Sequence, residues 1–153
     1  DRLDALPGSS AVGDDAEPGL VIVDYKTGKA PSLKYSEQMN QEIRSKNFFQ
    51  LRCYALLLAR GGLSIGGGKS QLARQLRLLY LGDGPDGGAT PLDDELPTEP
   101  AAYEAVLSAT QAEVVAAWAE IAALVARGEP EAFEHCSRSF CQCHELRPIV
   151  FGE

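Results

Sequence analysis

Residues Gly19 to Thr27 read G-L-V-I-V-D-Y-K-T, an apolar run that ends in an acid, one spacer residue and a lysine. The run from Leu20 to Val23 is as short as a typical strand, and three of its four residues are β-branched. It therefore predicts a buried strand. Strand side chains alternate between faces, so we expect Asp24 and Lys26 on one face. Such a pair at the mouth of a sheet can hold a divalent cation and stabilise a developing negative charge, as metal-dependent phosphodiester hydrolysis requires. The alternative interpretation is an exposed ion pair at a strand end.

The size and composition of the chain suit one globular domain. The chain has 153 residues, of which 44% are hydrophobic, so it can bury a sizeable core. It begins at Asp1, and we expect an N-terminal portion of the fold to be missing from it. No apolar run reaches the length of a membrane span and no signal peptide is visible, so we expect no membrane partner.

The charge of the chain is distributed unevenly. The net charge is −8, yet ten basic and only two acidic residues lie between Lys26 and Arg77. This basic block contains the D-Y-K segment, and it predicts a surface that follows a phosphate backbone on an otherwise acidic protein. Solvated helix faces are the alternative. The residues expected to contact phosphates are Lys29, Arg44, Lys46 and Arg52.

The remaining pattern predicts strand, strand, helix, strand, helix. In chain order these are strands at 1–6 and 20–26, a helix at 37–60, a strand at 75–81 and a helix from 98 to 127. Ser36 and Thr98 are the expected N-caps, and glycines close both helices. A break in the first helix near 45–47 stays open, and 82–96 is predicted to be an acidic loop. The second helix has an apolar stripe that we interpret as core packing: Tyr103, Val106, Leu107, Val114, Trp118, Ile121, Leu124 and Val125.

Three segments together resemble a known family. They are D-Y-K-T-G-K-A-P at 24–31, F-F-Q-L-R-C-Y-A-L-L-L at 48–58 and L-R-L-L-Y-L-G-D-G at 76–84. The chain resembles the RecB-type nucleases of the PD-(D/E)XK superfamily, above all stand-alone RecB family exonucleases and AddB-like proteins. The resemblance implies an α/β restriction-endonuclease-like core, with a mixed central sheet flanked by helices. It places this core at 1–128 and a Cys-containing tail, packed on the same domain, at 129–153.

The resemblance also implies a set of metal ligands. D-R-L-D at the start of the chain matches part of the motif that carries the family's first metal-binding acid, which makes Asp1 the matching residue. Asp24 matches the second ligand, and the backbone carbonyl of Tyr25 lies where the family offers a third. Oxygen ligands of this kind suit Mg²⁺ or Mn²⁺.

Three further residues match the catalytic part of the family pattern. Lys26 matches the lysine that stabilises the attacked phosphate or helps to activate water. Gln50 and Tyr54, which share a helix face at a spacing of four, match a Q-x-x-x-Y pair that borders the DNA path. The alternative for this pair is a local hydrogen bond of Gln50 and a core position for Tyr54.

The cysteines depart from the family pattern. Cys136, Cys141 and Cys143 form a C-terminal cysteine group, whereas Cys53 lies within the helix motif. Many relatives hold an iron–sulfur cluster through one upstream and three C-terminal cysteines, but here the C-terminal spacing differs. A cluster needs four thiolates, so we expect no iron–sulfur cluster. A degenerate site is favoured over a zinc site completed by His135 or His144.

These observations predict a metal-dependent DNA nuclease, with RNA as an alternative substrate. A protein of a different class is the rival: a nuclease-like domain that serves as a structural or nucleic-acid-binding subunit of a larger assembly. The expected location is the cytoplasm or nucleoid, with an organelle, either mitochondrion or chloroplast, as the alternative.

Overall fold

A computed structural model of the chain describes residues 2–5, 19–61, 72–82, 84 and 87–128. Within them lie four strands and two long helices. The strands are β1 (Arg2–Ala5), β2 (Leu20–Lys26), β3 (Ala73–Leu81) and β4 (Ala89–Glu95), and the helices are α1 (Glu37–Gly61) and α2 (Pro100–Arg127). The predicted order strand, strand, helix, strand, helix is therefore confirmed, with one additional strand.

The four strands form one mixed sheet in the order β1-β2-β3-β4. β1 pairs antiparallel with β2, β2 pairs parallel with β3, and β3 pairs antiparallel with β4. The parallel pair needs a crossover, which α1 supplies between β2 and β3. This mixed sheet with flanking helices is a restriction-endonuclease-like α/β fold, as expected.

α1 packs on the sheet through a face with helical spacing. Phe48, Leu51, Ala55 and Leu58 are its buried residues, and they join a core cluster with Ile22 and the inward side chains of β3. Truncating a fully buried leucine such as Leu51 to alanine would cost about 2–5 kcal/mol. The helix runs without interruption through 45–47, so the possible break there is absent.

The predicted acidic loop at 82–96 is wrong for its second half, which is strand β4. β3 offers a free edge, and β4 pairs with it from Ala89 to Glu95. The segment lacks an apolar run, which made it read as a loop. It lies at the edge of the sheet, where water can solvate its outer side and where Pro91 is tolerated.

α2 begins with a cap that the sequence pattern misplaced by one residue. The carboxylate of Glu99, and not the Thr98 hydroxyl, accepts hydrogen bonds from the backbone N–H groups of Ala101 (3.0 Å) and Ala102 (2.6 Å). These bonds satisfy amide groups that a helix start leaves without partners, and they lower the pKa of Glu99. Gly128, with φ at 68°, follows the helix in the left-handed conformation that glycine accepts without strain.

The interpretation of the α2 stripe as core packing holds only for its first part. Tyr103 and Leu107 are buried with Thr110, whereas Trp118 is 70% exposed and Ile121 is 51% exposed. The chain divides into two compact units, Asp1–Gln111 and Ala112–Glu153, and the exposed part of the stripe belongs to the second. Its period alone could not distinguish a continuous core face from one that ends partway.

α2 is also the one helix of the described residues that is long and apolar enough to cross a membrane. The expectation that no apolar run reaches that length is therefore wrong for α2. A core helix or a signal sequence can meet the same criterion, but only 6% of the apolar window of α2 is buried, so a core position does not account for it. Length and composition alone do not assign the helix to a membrane. The expected tail at 129–153 lies outside the described residues.

Candidate active site

Asp24 lies near the carboxyl end of β2 and is only 5% exposed. Its register partner on β3 is Leu78, which is fully buried, so the carboxylate stands at the border of the apolar core. A buried carboxylate needs partners, because removing it from water without compensation is costly. Asp24 Oδ2 nevertheless has no hydrogen-bond partner.

Lys26 supplies the charge that faces this oxygen. Its Nζ lies 2.5 Å from Asp24 Oδ2, and the two residues share a sheet face because they are two apart on one strand. The contact is an ion pair without hydrogen-bond alignment, since Oδ2 lacks a hydrogen-bond partner at this short distance. The lysine side chain remains 35% exposed and so reaches solvent at the strand end.

Gln50 and Tyr54 of α1 extend the pair into a chain of four polar side chains. Lys26 Nζ donates to Gln50 Oε1 at 3.4 Å, and Gln50 Nε2 donates to the Tyr54 hydroxyl at 2.8 Å. The crossover helix thus brings residues 24 positions apart in sequence into contact. The ring of Tyr54 also packs against the core cluster. The alternatives of a local hydrogen bond for Gln50 and a core position for Tyr54 therefore both hold in part, alongside the contact with Lys26.

The carboxyl end of β2 places a buried carboxylate beside an ammonium that is partly exposed to solvent. Asp24 presents an acceptor-only oxygen, and Lys26 presents a donor-only ammonium that reaches solvent. A hard oxygen ligand of this type fits Mg²⁺ or Mn²⁺. In the described residues no group of three or more His, Cys, Asp or Glu side chains that could hold a metal ion comes together.

The predicted phosphate-contacting residues fall into two pairs. Arg44 donates to the backbone carbonyl of Asp93 at 2.8 Å, and Arg52 donates to the backbone carbonyl of Ser45 at 2.8 Å. Both guanidinium groups therefore already bind protein oxygens. Lys29 and Lys46 are exposed and make no hydrogen bond or ion pair within the described part of the chain.

Lys46 has a defined relation to the candidate site. It precedes Gln50 by four residues on α1, so the two side chains share one face of the helix. Lys29 follows Lys26 by three residues in the connector after β2. Lys29 and Lys46 are thus the two predicted phosphate contacts whose charges do not bind protein oxygens in the described part of the chain. Each lies within four residues of one of the four polar side chains.

One acid near the sheet face of Asp24 was missed because its segment read as a loop. Asp94 pairs in register with the core residue Leu76, and Arg44 Nη1 lies 4.0 Å from its Oδ1. Burial raises the pKa of Asp94, and the guanidinium groups of Arg44 and Arg52 lower it by less. The sequence carries little signal for this strand, because Leu92 is the only large apolar residue on the face that Thr90, Leu92 and Asp94 share.

Two predicted groups lie outside the described residues: Asp1 and the C-terminal cysteine group. Cys53 is half-buried on α1. Arg2, next to Asp1, pairs with Val23, which precedes Asp24. The structure thus brings together Asp24, Lys26, Gln50 and Tyr54, while Asp1 remains a predicted ligand.

Comparison with known proteins gives one match. The sequence profile of the PD-(D/E)XK nuclease superfamily matches residues 1–146, nearly the whole chain. No curated protein and no solved structure matches. PD-(D/E)XK nucleases act on nucleic acids and generally use divalent metal ions. With the mixed sheet and the D-Y-K strand end in place, the chain belongs to the PD-(D/E)XK nuclease superfamily.

Proposed function

We propose that the protein is a metal-dependent deoxyribonuclease of the RecB-like exonuclease type, which hydrolyses phosphodiester bonds in DNA. The observation that carries the proposal is the chain of contacts from Asp24 through Lys26 and Gln50 to Tyr54 at the end of β2. A superfamily match alone supports a nuclease, whereas the Q-x-x-x-Y pair in contact with the lysine favours the RecB-like type.

Asp24 is the proposed metal ligand. Its buried Oδ2 accepts no hydrogen bond, and a carboxylate oxygen can bind only a cation or a hydrogen-bond donor. Asp1 and the backbone carbonyl of Tyr25 complete the proposed set. In support of Asp1, the antiparallel register places its neighbour Arg2 opposite Val23, the neighbour of Asp24. Bound Mg²⁺ or Mn²⁺ would supply Lewis-acid activation of water and of the phosphate.

Lys26 is the proposed stabiliser of the phosphate. Its ammonium is held at the strand end by Asp24 and Gln50 while part of the side chain stays in contact with solvent. A fixed cation near a phosphate lowers the barrier, because negative charge accumulates on the phosphoryl oxygens in the transition state. Lys29 and Lys46 are proposed to hold the DNA backbone through unpaired surface charges.

The rival proposal is a nuclease-like domain that binds nucleic acid without cutting it, within a larger assembly. The exposed apolar stripe of α2 favours a protein partner, because exposed patches of this kind often mark interaction sites. The placement of Lys26 against Asp24 and Gln50 favours the nuclease.

A cleavage assay on linear and circular DNA, with Mg²⁺ or with a chelator, separates the two proposals. The nuclease should degrade linear DNA only with the metal, and Lys26→Ala should abolish degradation. Lys34→Ala, which removes an exposed lysine outside the site, is the matched control. Metal-independent DNA binding without cleavage would support the rival, and equal degradation of circular DNA would refute the exonuclease type.

A further inference from the structure

One oxygen of the site has two competing partners. Lys26 Nζ lies 2.5 Å from Asp24 Oδ2, the buried oxygen that the proposed function assigns to a divalent cation. Two positive charges at such distances from one oxygen repel each other strongly. Lys26 must therefore move away from Oδ2 before Asp24 can offer this oxygen as a ligand.

Gln50 offers the ammonium another partner. Its Oε1 lies 3.4 Å from Lys26 Nζ, at the long end of hydrogen-bond distances, while its Nε2 donates to the Tyr54 hydroxyl at 2.8 Å. An ammonium can only donate, so only the oxygen of the amide can usefully face it. The bond to Tyr54 holds the amide in that orientation.

We infer that Gln50, oriented by Tyr54, is a positioning residue that takes over the ammonium of Lys26 and so frees Asp24 Oδ2 for a divalent cation. The inference rests on the proposed metal-dependent function. The ammonium keeps a polar partner when it leaves the carboxylate, so separating the Asp24–Lys26 pair costs less. Affinity for the cation then depends on Gln50, a neutral side chain that is not itself a ligand.

Calorimetric titration of the full chain with Mg²⁺, without DNA, measures this dependence directly. Gln50→Ala should weaken Mg²⁺ binding roughly threefold to tenfold, the range expected for one net hydrogen bond. Gln41→Ala, which removes another exposed glutamine of α1, should leave it unchanged. Tyr54→Phe should weaken binding in the same direction, because the amide loses its anchor. Because alanine favours a helix, neither alanine substitution should disturb α1. Thermal melts of each variant check that the fold is retained.

A double-mutant cycle separates positioning from other roles. In a Lys26→Met background there is no ammonium to relocate, so Gln50→Ala should no longer change Mg²⁺ affinity. Equal weakening in both backgrounds would overturn the inference, as would wild-type affinity in Gln50→Ala alone. If the wild type binds Mg²⁺ and Gln50→Ala has no effect, the inference fails and the proposed nuclease stands. If the wild type binds no Mg²⁺, both fail.

Discussion

Replacing Asp24 by asparagine should abolish DNA cleavage without destabilising the protein. Asp24 is 5% exposed, and its Oδ2 has an ammonium beside it but no hydrogen bond. A buried polar oxygen without a hydrogen bond costs about 1–3 kcal/mol. A partly exposed ion pair returns only about 0–1 kcal/mol. Asparagine keeps the shape and an equally buried amide, so relief of the buried charge and loss of the ion pair nearly cancel, and we expect the free energy of unfolding to change by less than about 1 kcal/mol. For a chain of this size that keeps the change in Tm within roughly 2–4 °C.

Asp93→Asn is the matched control for this substitution. Asp93 also lies on a strand of the sheet, but its carboxylate accepts two hydrogen bonds from Arg77, at 2.7 and 2.8 Å. Arg77 pairs in register with Val23, the neighbour of Asp24, so this pair lies on the opposite sheet face. Its loss should lower the free energy of unfolding by about 1 kcal/mol, since the pair is partly exposed. Cleavage should be retained.

The assays are thermal unfolding followed by circular dichroism and Mg²⁺-dependent degradation of linear DNA. The two variants should show opposite patterns, with Asp24→Asn stable and inactive and Asp93→Asn less stable and active. An equal loss of Tm in both would mean that Asp24 serves a structural ion pair. Full cleavage by Asp24→Asn would show that the Asp24 carboxylate has no role in DNA hydrolysis.

Three other predictions concern the surface, the pH dependence of stability and the tail. Charge reversal at Lys29 and Lys46 should weaken DNA binding and reduce the slope of log affinity against log salt by roughly 0.7–0.9 for each lost contact, whereas an unchanged slope would make both solvated surface charges. The hydrogen bonds from Arg60 lower the pKa of Glu104. Because that pKa lies below its unfolded value, the stabilisation is present above the unfolded pKa and is lost as pH falls through the folded pKa. Glu104→Gln should therefore lower Tm at pH 7, and the difference from wild type should vanish in strong acid, as scanning calorimetry would reveal. The C-terminal cysteine group should hold no iron–sulfur cluster, so an anaerobic preparation should lack iron, and stoichiometric iron with absorbance near ~400 nm would contradict this.

Local pattern was sufficient for the central elements of the fold. The run from Leu20 to Lys26 is a strand in the structure, as predicted, and Ser36 precedes a helix that starts at Glu37. Burial, alternation and capping are properties of neighbouring residues, so the sequence expresses them directly. The segment at 82–96 shows the limit of this reasoning, because its second half is strand β4 and not the predicted loop. As an edge strand, β4 takes its hydrogen bonds from β3, and the residues of β4 do not by themselves reveal that partner.

The sequence by itself determined that Asp24 and Lys26 share a face and that Gln50 and Tyr54 share another, because both follow from the periods of a strand and a helix. Only the tertiary structure decided that these two faces meet, since the crossover of α1 over the sheet sets the contact between Lys26 and Gln50. It also decided that Arg44 binds β4 and that the α2 stripe is buried only in part. Charge and hydrophobicity are carried by each residue, whereas burial and pairing depend on what the fold places against it.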